Sequence, residues 1–272
     1  MTIKVCVAGA TGWTGSEIAR RLMQSPEFEL VSAIARRQAG QDMGEALGLA
    51  ASGLKISSSL DEALASGPLP DVLVDYTSPG SVKPHTLRAL DRGLRVVIGT
   101  SGLNAADYAE IEQQAWARNL GVIAAGNFSL TAALAKHFAL LAARYLPTWE
   151  IVDYASAGKI DAPSGTVQEL AEALGQVATS ALAVPLADVL GSAGARGATI
   201  GGAQVHSVRL PGFIIAFETL FGLPDERLTI RHDAGSGAAP YAAGTLLAVR
   251  KVMEVRGLLR GLDQLLFPAS PS

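Results

Sequence analysis

The sequence predicts an α/β fold, with a doubly wound parallel sheet in the first half and a second α+β domain built on an open mixed or antiparallel sheet. Three observations predict it. Short apolar runs recur through residues 1–127 with helix-like stretches between them, and a glycine-rich turn follows the first run at once. Beyond about Asn127 that rhythm stops, and runs that alternate apolar with polar residues take over.

In the first half, strands are expected over residues 3–8, 28–35, 71–76, 95–99 and 120–124. These runs have few polar interruptions, the mark of strands buried on both faces of a parallel sheet. Between the first two, Ile18, Ala19 and Leu22 recur at helical spacing while Glu17, Arg20 and Arg21 take the opposite face. Asn104 stands as N-cap to a helix through Ile111 and Ala115. The second half reads as a helix over 131–145, a strand near 150–156, a Pro-Ser-Gly turn and a helix over 166–177. The Gly- and Ala-dense stretch 191–203 reads as a flexible loop, followed by strands over 204–209, 213–221 and 227–232. A last helix over 241–253 is expected to return to the first domain. The boundaries so drawn are 1–127, 128–236 and 237–272. An open sheet needs its apolar face covered, so self-association is expected.

Composition excludes several classes of function. With 49% hydrophobic and 17% charged residues, the 272-residue chain is far from disorder and long enough for two modest domains. A net charge of -3 offers no basic field to a nucleic acid. Cys6 is the only cysteine and lies in the first apolar run, which suits a buried thiol in a reducing cytoplasm. No leader-like segment and no membrane-length apolar stretch is seen, so a soluble protein without a membrane partner is expected. His85, His137, His206 and His232 are scattered without metal-ligand spacing, and no metal is expected. Ser164 lacks the His and Asp pattern of a nucleophilic hydrolase, and Asp75 and Asp161 read as caps or turn residues.

Chemistry enters at Gly9-Ala10-Thr11-Gly12-Trp13-Thr14-Gly15, between the first strand and its helix. A tight turn, a close backbone approach to a pyrophosphate and helix-on-strand packing each favour a residue without Cβ, and the helix start points N–H groups at the phosphates. This is the signature of a Rossmann-type half, although the spacing is GxxGxxG. After the second strand, Ala35-Arg36-Arg37 offers two guanidiniums where an NAD-selective site would carry a carboxylate, so NADPH is the expected cofactor, with NADH as the alternative. Further along, Pro163 and Ser164 suit the start of a helix whose Gly165 and Thr166 N–H groups, with Lys159 nearby, form a cradle for a carboxylate.

Read in order, Val7-Ala8-Gly9-Ala10-Thr11-Gly12, Asp75-Tyr76-Thr77, Val97-Ile98-Gly99-Thr100-Ser101-Gly102, Gly126-Asn127-Phe128-Ser129 and Lys159-Ile160-Asp161-Ala162-Pro163-Ser164-Gly165-Thr166 resemble the 4-hydroxy-tetrahydrodipicolinate (dihydrodipicolinate) reductase family of bacterial lysine synthesis. The resemblance implies a nucleotide-binding domain, a substrate-binding and tetramerisation domain, and reduction of a small cyclic imine carboxylate. It places Gly9, Ala10, Thr11, Gly12, Trp13 and Thr14 on the pyrophosphate and Arg36 and Arg37 at the adenosine ribose. Gly99, Thr100 and Ser101 fall on the nicotinamide side, and Ala125, Gly126, Asn127 and Phe128 at the interdomain edge of the cofactor. Lys159 becomes proton donor or carboxylate partner, and Ser164, Gly165 and Thr166, with Ser101, bind substrate.

Two departures stand out. The family places two histidines a few residues before the lysine, the first as proton donor; here Ala155 and Ser156 occupy those positions. The arginine expected after Ser236 is replaced by Gly237. Three readings follow: Lys159, Tyr154 or water supplies the proton; the substrate is a different imine or unsaturated acid; or the protein is a catalytically silent dinucleotide binder or sensor.

Overall fold

The computed structural model describes residues 2–213 and 215–267. The chain begins with β1 (Ile3–Ala8), α1 (Trp13–Gln24), β2 (Phe28–Ile34), α2 (Met43–Ala46), β3 (Ile56–Ser57) and α3 (Leu60–Ala65). It continues through β4 (Val72–Asp75), α4 (Pro79–Asp91), β5 (Arg95–Ile98), α5 (Ala105–Ala117) and β6 (Gly121–Ala124). Then come α6 (Leu130–Ala142), β7 (Trp149–Ala155), α7 (Gly165–Val177), β8 (Ala198–Ile200), β9 (Ala203–Arg209), β10 (Ile215–Leu223) and β11 (Glu226–Ala234). The chain closes with α8 (Ala239–Lys251), β12 (Gly257–Arg260) and α9 (Asp263–Leu266). Contacts divide it into two compact units, Met1–Leu130 with Ala238–Ser272, and Thr131–Gly237.

The first unit is a seven-stranded sheet in the order β12-β6-β5-β4-β1-β2-β3, with every pairing parallel. Strand order reverses between β1 and β4, which opens a crevice at the carboxyl ends of those strands. Val5, Cys6, Val7, Val72, Leu73, Val74, Val96 and Val97 are all fully buried, the product of helices covering both faces. Burial of each large apolar side chain contributes about 1.5–3 kcal/mol, which is what holds so many short strands in register. Cys6 is a free thiol, and burial, reinforced by Asp75, pushes its pKa up, so it packs as an inert hydrophobe. On α5 the Asn104 cap is a full capping box with Asp107. Sequence patterning gives no sign of β3 or β12, the two edge strands. Strand β12 pairs Gly257 with Gly121 through Arg260 with Ala124.

The second unit is a five-stranded mixed sheet in the order β11-β10-β7-β9-β8, with only β7 and β9 parallel. Along β7 the odd-numbered side chains (Trp149, Ile151, Asp153, Ala155) are buried, and the even ones are half-buried. The odd face packs under α6 and α7, where Trp149, Ile151, Val167, Leu170, Leu174, Phe217 and Phe221 form the core. Contrary to the reading of 191–203 as a flexible loop, Ala198–Ile200 is a strand paired antiparallel to β9, its short connection made by Gly201 and Gly202. Two of the five glycines that suggested flexibility, Gly201 and Gly202, are the turn itself. Strand β10 starts at Ile215, and Ile214, within the strand expected there, lies outside the described residues.

Candidate active site

In the first unit a cleft of about 1180 Å³ is lined by the glycine turn (Gly9, Thr11, Gly12), by Arg36, Arg37 and Gln38 after β2, by Ser58 and Ser59 after β3, by Tyr76, Thr77 and Ser78 after β4, and by Ser81 and His85 on α4. The turn is built for backbone approach. Gly9 has φ +80°, and a Cβ there would lie 2.2 Å from the Tyr76 carbonyl oxygen; a Cβ on Gly15 would lie 2.1 Å from the Gly9 carbonyl oxygen. Helix α1 has no side-chain cap at Gly12. Gly9 and Ala10 both donate their N–H groups to Ile34 O, and Gly12 donates to Gly9 O. Among the described residues the N–H groups of Thr11, Trp13 and Thr14 make no such bond, as is usual at a helix start. The cleft is long enough for a dinucleotide, and the same lining brings the open start of α1 together with Arg36 and Arg37, which follow β2.

The remaining expected cofactor residues have more specific places. Gly99 passes so close to the Tyr76 ring that a Cβ would lie 2.2 Å from its Cζ. The Thr100 hydroxyl donates to Asp75 Oδ1 at 2.7 Å and accepts the Thr77 N–H at 2.8 Å, so it braces the loop after β4. Ser101 is exposed, Ala125 donates its N–H to Ile98 O, and Asn127 Oδ1 accepts from the Ser129 N–H. Phe128 is buried, its ring centroid 6.1 Å from that of Tyr76. Trp13 is 54% exposed and makes an edge contact with Tyr241.

In the second unit, Ser164 is the N-cap of α7, its hydroxyl accepting from Val167 N–H. The same hydroxyl donates to Asp153 Oδ1 at 2.7 Å, and the Ser164 N–H donates to Asp153 Oδ2 at 2.8 Å. Asp153 is fully buried and also takes Arg209 Nη2 at 2.7 Å. A second bond from that nitrogen to Asp161 O, at 2.8 Å, ties down the loop between β7 and α7. The Ser164 side chain is therefore a structural clamp, and what it presents outward is the first turn of α7, Gly165 and Thr166. Lys159 Nζ lies 2.8 Å from Asp161 Oδ1, a partly exposed pair worth about 0–1 kcal/mol and easily exchanged for a better anion.

Asp153 and Arg209 were missed by sequence reasoning, although a carboxylate in phase with buried Ile151 and Ala155 was a visible signal. The same parity removes Tyr154 as a proton source for this loop. Its side chain is on the other sheet face, where its hydroxyl donates to Glu218, and burial followed by Glu218 pushes its pKa up. His206 pairs with Glu150 at 2.8 Å, and His232 Nε2 lies 3.0 Å from Thr131 Oγ1. Burial holds the His232 imidazole below the usual histidine range. Among the described residues, no three His, Cys, Asp or Glu side chains are grouped to hold a metal ion, and no helix is long and apolar enough to cross a membrane.

By class this is a two-domain oxidoreductase that works with NADH or NADPH, a class for which an uncapped helix start after β1 and a cleft running out past β2 are the expected features. Family models for the N-terminus and C-terminus of dihydrodipicolinate reductase match residues 3–128 and 128–266, and the chain belongs to that family. It is 42% identical to the 4-hydroxy-tetrahydrodipicolinate reductase of Moorella thermoacetica over 265 residues, covering 97% of this chain and 98% of the relative. Identity to the enzyme of the same name from Desulfitobacterium hafniense is 38%, over 97% and 98% of the two chains. A dipicolinate-bound dihydrodipicolinate reductase from a Paenisporosarcina species superposes with a TM-score of 0.80 at 33% identity, over 97% of this chain and 99% of that one. An amine dehydrogenase from Mycobacterium smegmatis shares the fold, with a TM-score of 0.67 at 16% identity over 97% and 96% of the two chains.

Proposed function

We propose that this protein reduces a cyclic, unsaturated imine carboxylate of the kind named for its relatives, with NADPH as the preferred reductant. The observation that carries the reading is the loop from Lys159 to Thr166. It carries a cation and a helix start within eight residues, and buried Asp153 with half-buried Arg209 ties the loop down. Gly165 and Thr166 hold a substrate carboxylate, and Lys159, released from Asp161, either binds it or donates the proton that reduction requires. When bound, the dinucleotide supplies the hydride. Ser101 is assigned to the substrate and nicotinamide side, and Gly9–Thr14, Arg36, Arg37, Gly99, Thr100 and Ala125–Phe128 to the cofactor. The two arginines favour a 2′-phosphate by bidentate contact. In domain terms, residues 1–127 bind cofactor, 128–236 bind substrate and mediate oligomerisation, and 237–272 return to the first domain.

A second reading keeps the reductase and changes the acid, because Ala155 and Ser156 stand where the family carries imidazoles and Ala155 is fully buried. One assay separates the two: oxidation of NADPH, and of NADH in parallel, with the relatives' substrate and with a panel of other cyclic imine carboxylates. Turnover of the relatives' substrate, faster with NADPH, is expected. Turnover of another panel member alone establishes the second reading, binding without any turnover a silent protein, and a tenfold preference for NADH would overturn the NADPH assignment.

The protein is further proposed to act in the cytoplasm as a homo-oligomer, a tetramer by family. Helices α6 and α7 cover one face of the second sheet; the other carries Val152, Tyr154, Glu218, Leu220 and Arg231. Light scattering is expected to return the mass of four chains, and a clean monomer would refute the assignment.

A further inference from the structure

We propose that His85 reads the adenine amino group of the dinucleotide, with buried Asp75 fixing the tautomer that lets it do so. The inference rests on the assignment of the cleft to a dinucleotide. Asp75, at the end of β4, is fully buried. Its Oδ1 accepts the Thr77 N–H at 3.0 Å, the Thr77 hydroxyl at 2.6 Å and the Thr100 hydroxyl at 2.7 Å, while Oδ2 lies 2.8 Å from His85 Nδ1. A carboxylate surrounded by donors has only acceptors to offer, so Nδ1 carries the hydrogen and donates it. In an uncharged ring Nε2 is then an acceptor, so the binding test below is run at alkaline pH, where imidazole is uncharged. Among the described residues no protein group bonds to it, and the side chain, 23% exposed, lines the cleft.

The place of the acceptor in the fold selects its ligand. Along the crevice, the glycine turn takes the pyrophosphate and Arg36 and Arg37, after β2, take the ribose end. The rest of the lining, with Ser58 and Ser59 after β3 and Ser81 and His85 on α4, is left for the base. That wall is uncharged hydroxyls with one imidazole acceptor. Adenine presents a donor there in its exocyclic amine; hypoxanthine presents a carbonyl oxygen, which would oppose Nε2 lone pair to lone pair.

The tautomer argument gives a test that a merely structural histidine would not pass. Binding of NADPH and of its hypoxanthine analogue is measured by calorimetry on the full-length protein, with thermal unfolding to confirm that each variant is folded. The wild-type protein is expected to bind NADPH about tenfold more tightly than the analogue. His85→Phe keeps a ring beside the base, removes Nε2 and is expected to erase that preference. Asp75→Asn leaves the Oδ1 contacts and turns an amide N–H toward Nδ1; the ring then carries its hydrogen on Nε2, and the preference is expected to reverse. Should Asp75→Asn not fold, His85→Phe decides. Equal wild-type binding of both nucleotides would overturn the inference and leave the dinucleotide cleft standing, whereas binding of neither would remove the cleft assignment itself. A His85→Phe protein that keeps its base preference but no longer separates NADPH from NADH would place His85 on the phosphate and overturn the proposal.

Discussion

Replacing Lys159 with alanine is expected to lower kcat/KM by about 100- to 1000-fold, within the range for loss of a positioned acid, while NADPH affinity stays within about twofold of wild type. The asymmetry follows from geometry. Lys159 sits in the β7–α7 loop of the second unit, whereas the residues lining the dinucleotide cleft belong to the first. Its present partner, Asp161, is about half exposed and holds it only weakly, so the ammonium is available to substrate. Within the loop itself, residues 156–164, no other side chain carries a dissociable proton on a nitrogen. Steady-state kinetics with separate titration of NADPH checks this, and unchanged turnover would take Lys159 out of the mechanism.

The largest stability effect belongs to Asp153→Ala, expected to cost about 3–5 kcal/mol, the usual penalty for stripping one partner from a buried ion pair. Arg209 would keep its charge, with its side chain only 16% exposed, and lose its carboxylate; the Ser164 N–H and hydroxyl would lose their acceptors as well. The clamp on the start of α7 loosens with them, so KM for the acid should rise in whatever fraction of the protein remains folded. Urea unfolding should show a lower midpoint with little change in slope. A loss below about 1 kcal/mol would mean that water or a rotated side chain replaces the carboxylate.

The central strands of the first sheet were legible because burial on both faces leaves an unbroken apolar run, which composition alone reveals. Strand β12 was not. Gly257-Leu258-Leu259-Arg260 contains no β-branched residue, and its only strand partner, β6, lies far upstream in sequence. The glycine turn and the Lys159–Thr166 loop could be read locally, since their chemistry is carried by neighbours along the chain. Asp75 and Asp153 could not, because each acquires its meaning from residues brought to it by folding: His85 and Thr100 for one, Ser164 and Arg209 for the other. A lone carboxylate in a sequence is ambiguous until those partners arrive. For Asp153 and Tyr154, however, strand parity alone separates the buried clamp from its neighbour on the other face.

The parallel pairing of β12 with β6 also sets the order in which the chain can mature on the ribosome. Residues 121–124 emerge more than a hundred residues before 257–260. At ordinary elongation rates, β6 therefore waits on the order of ten seconds with one side of its backbone unpaired. During that interval the nascent nucleotide-binding half is an unfinished sheet, while the second unit, wholly encoded within the gap, can fold first.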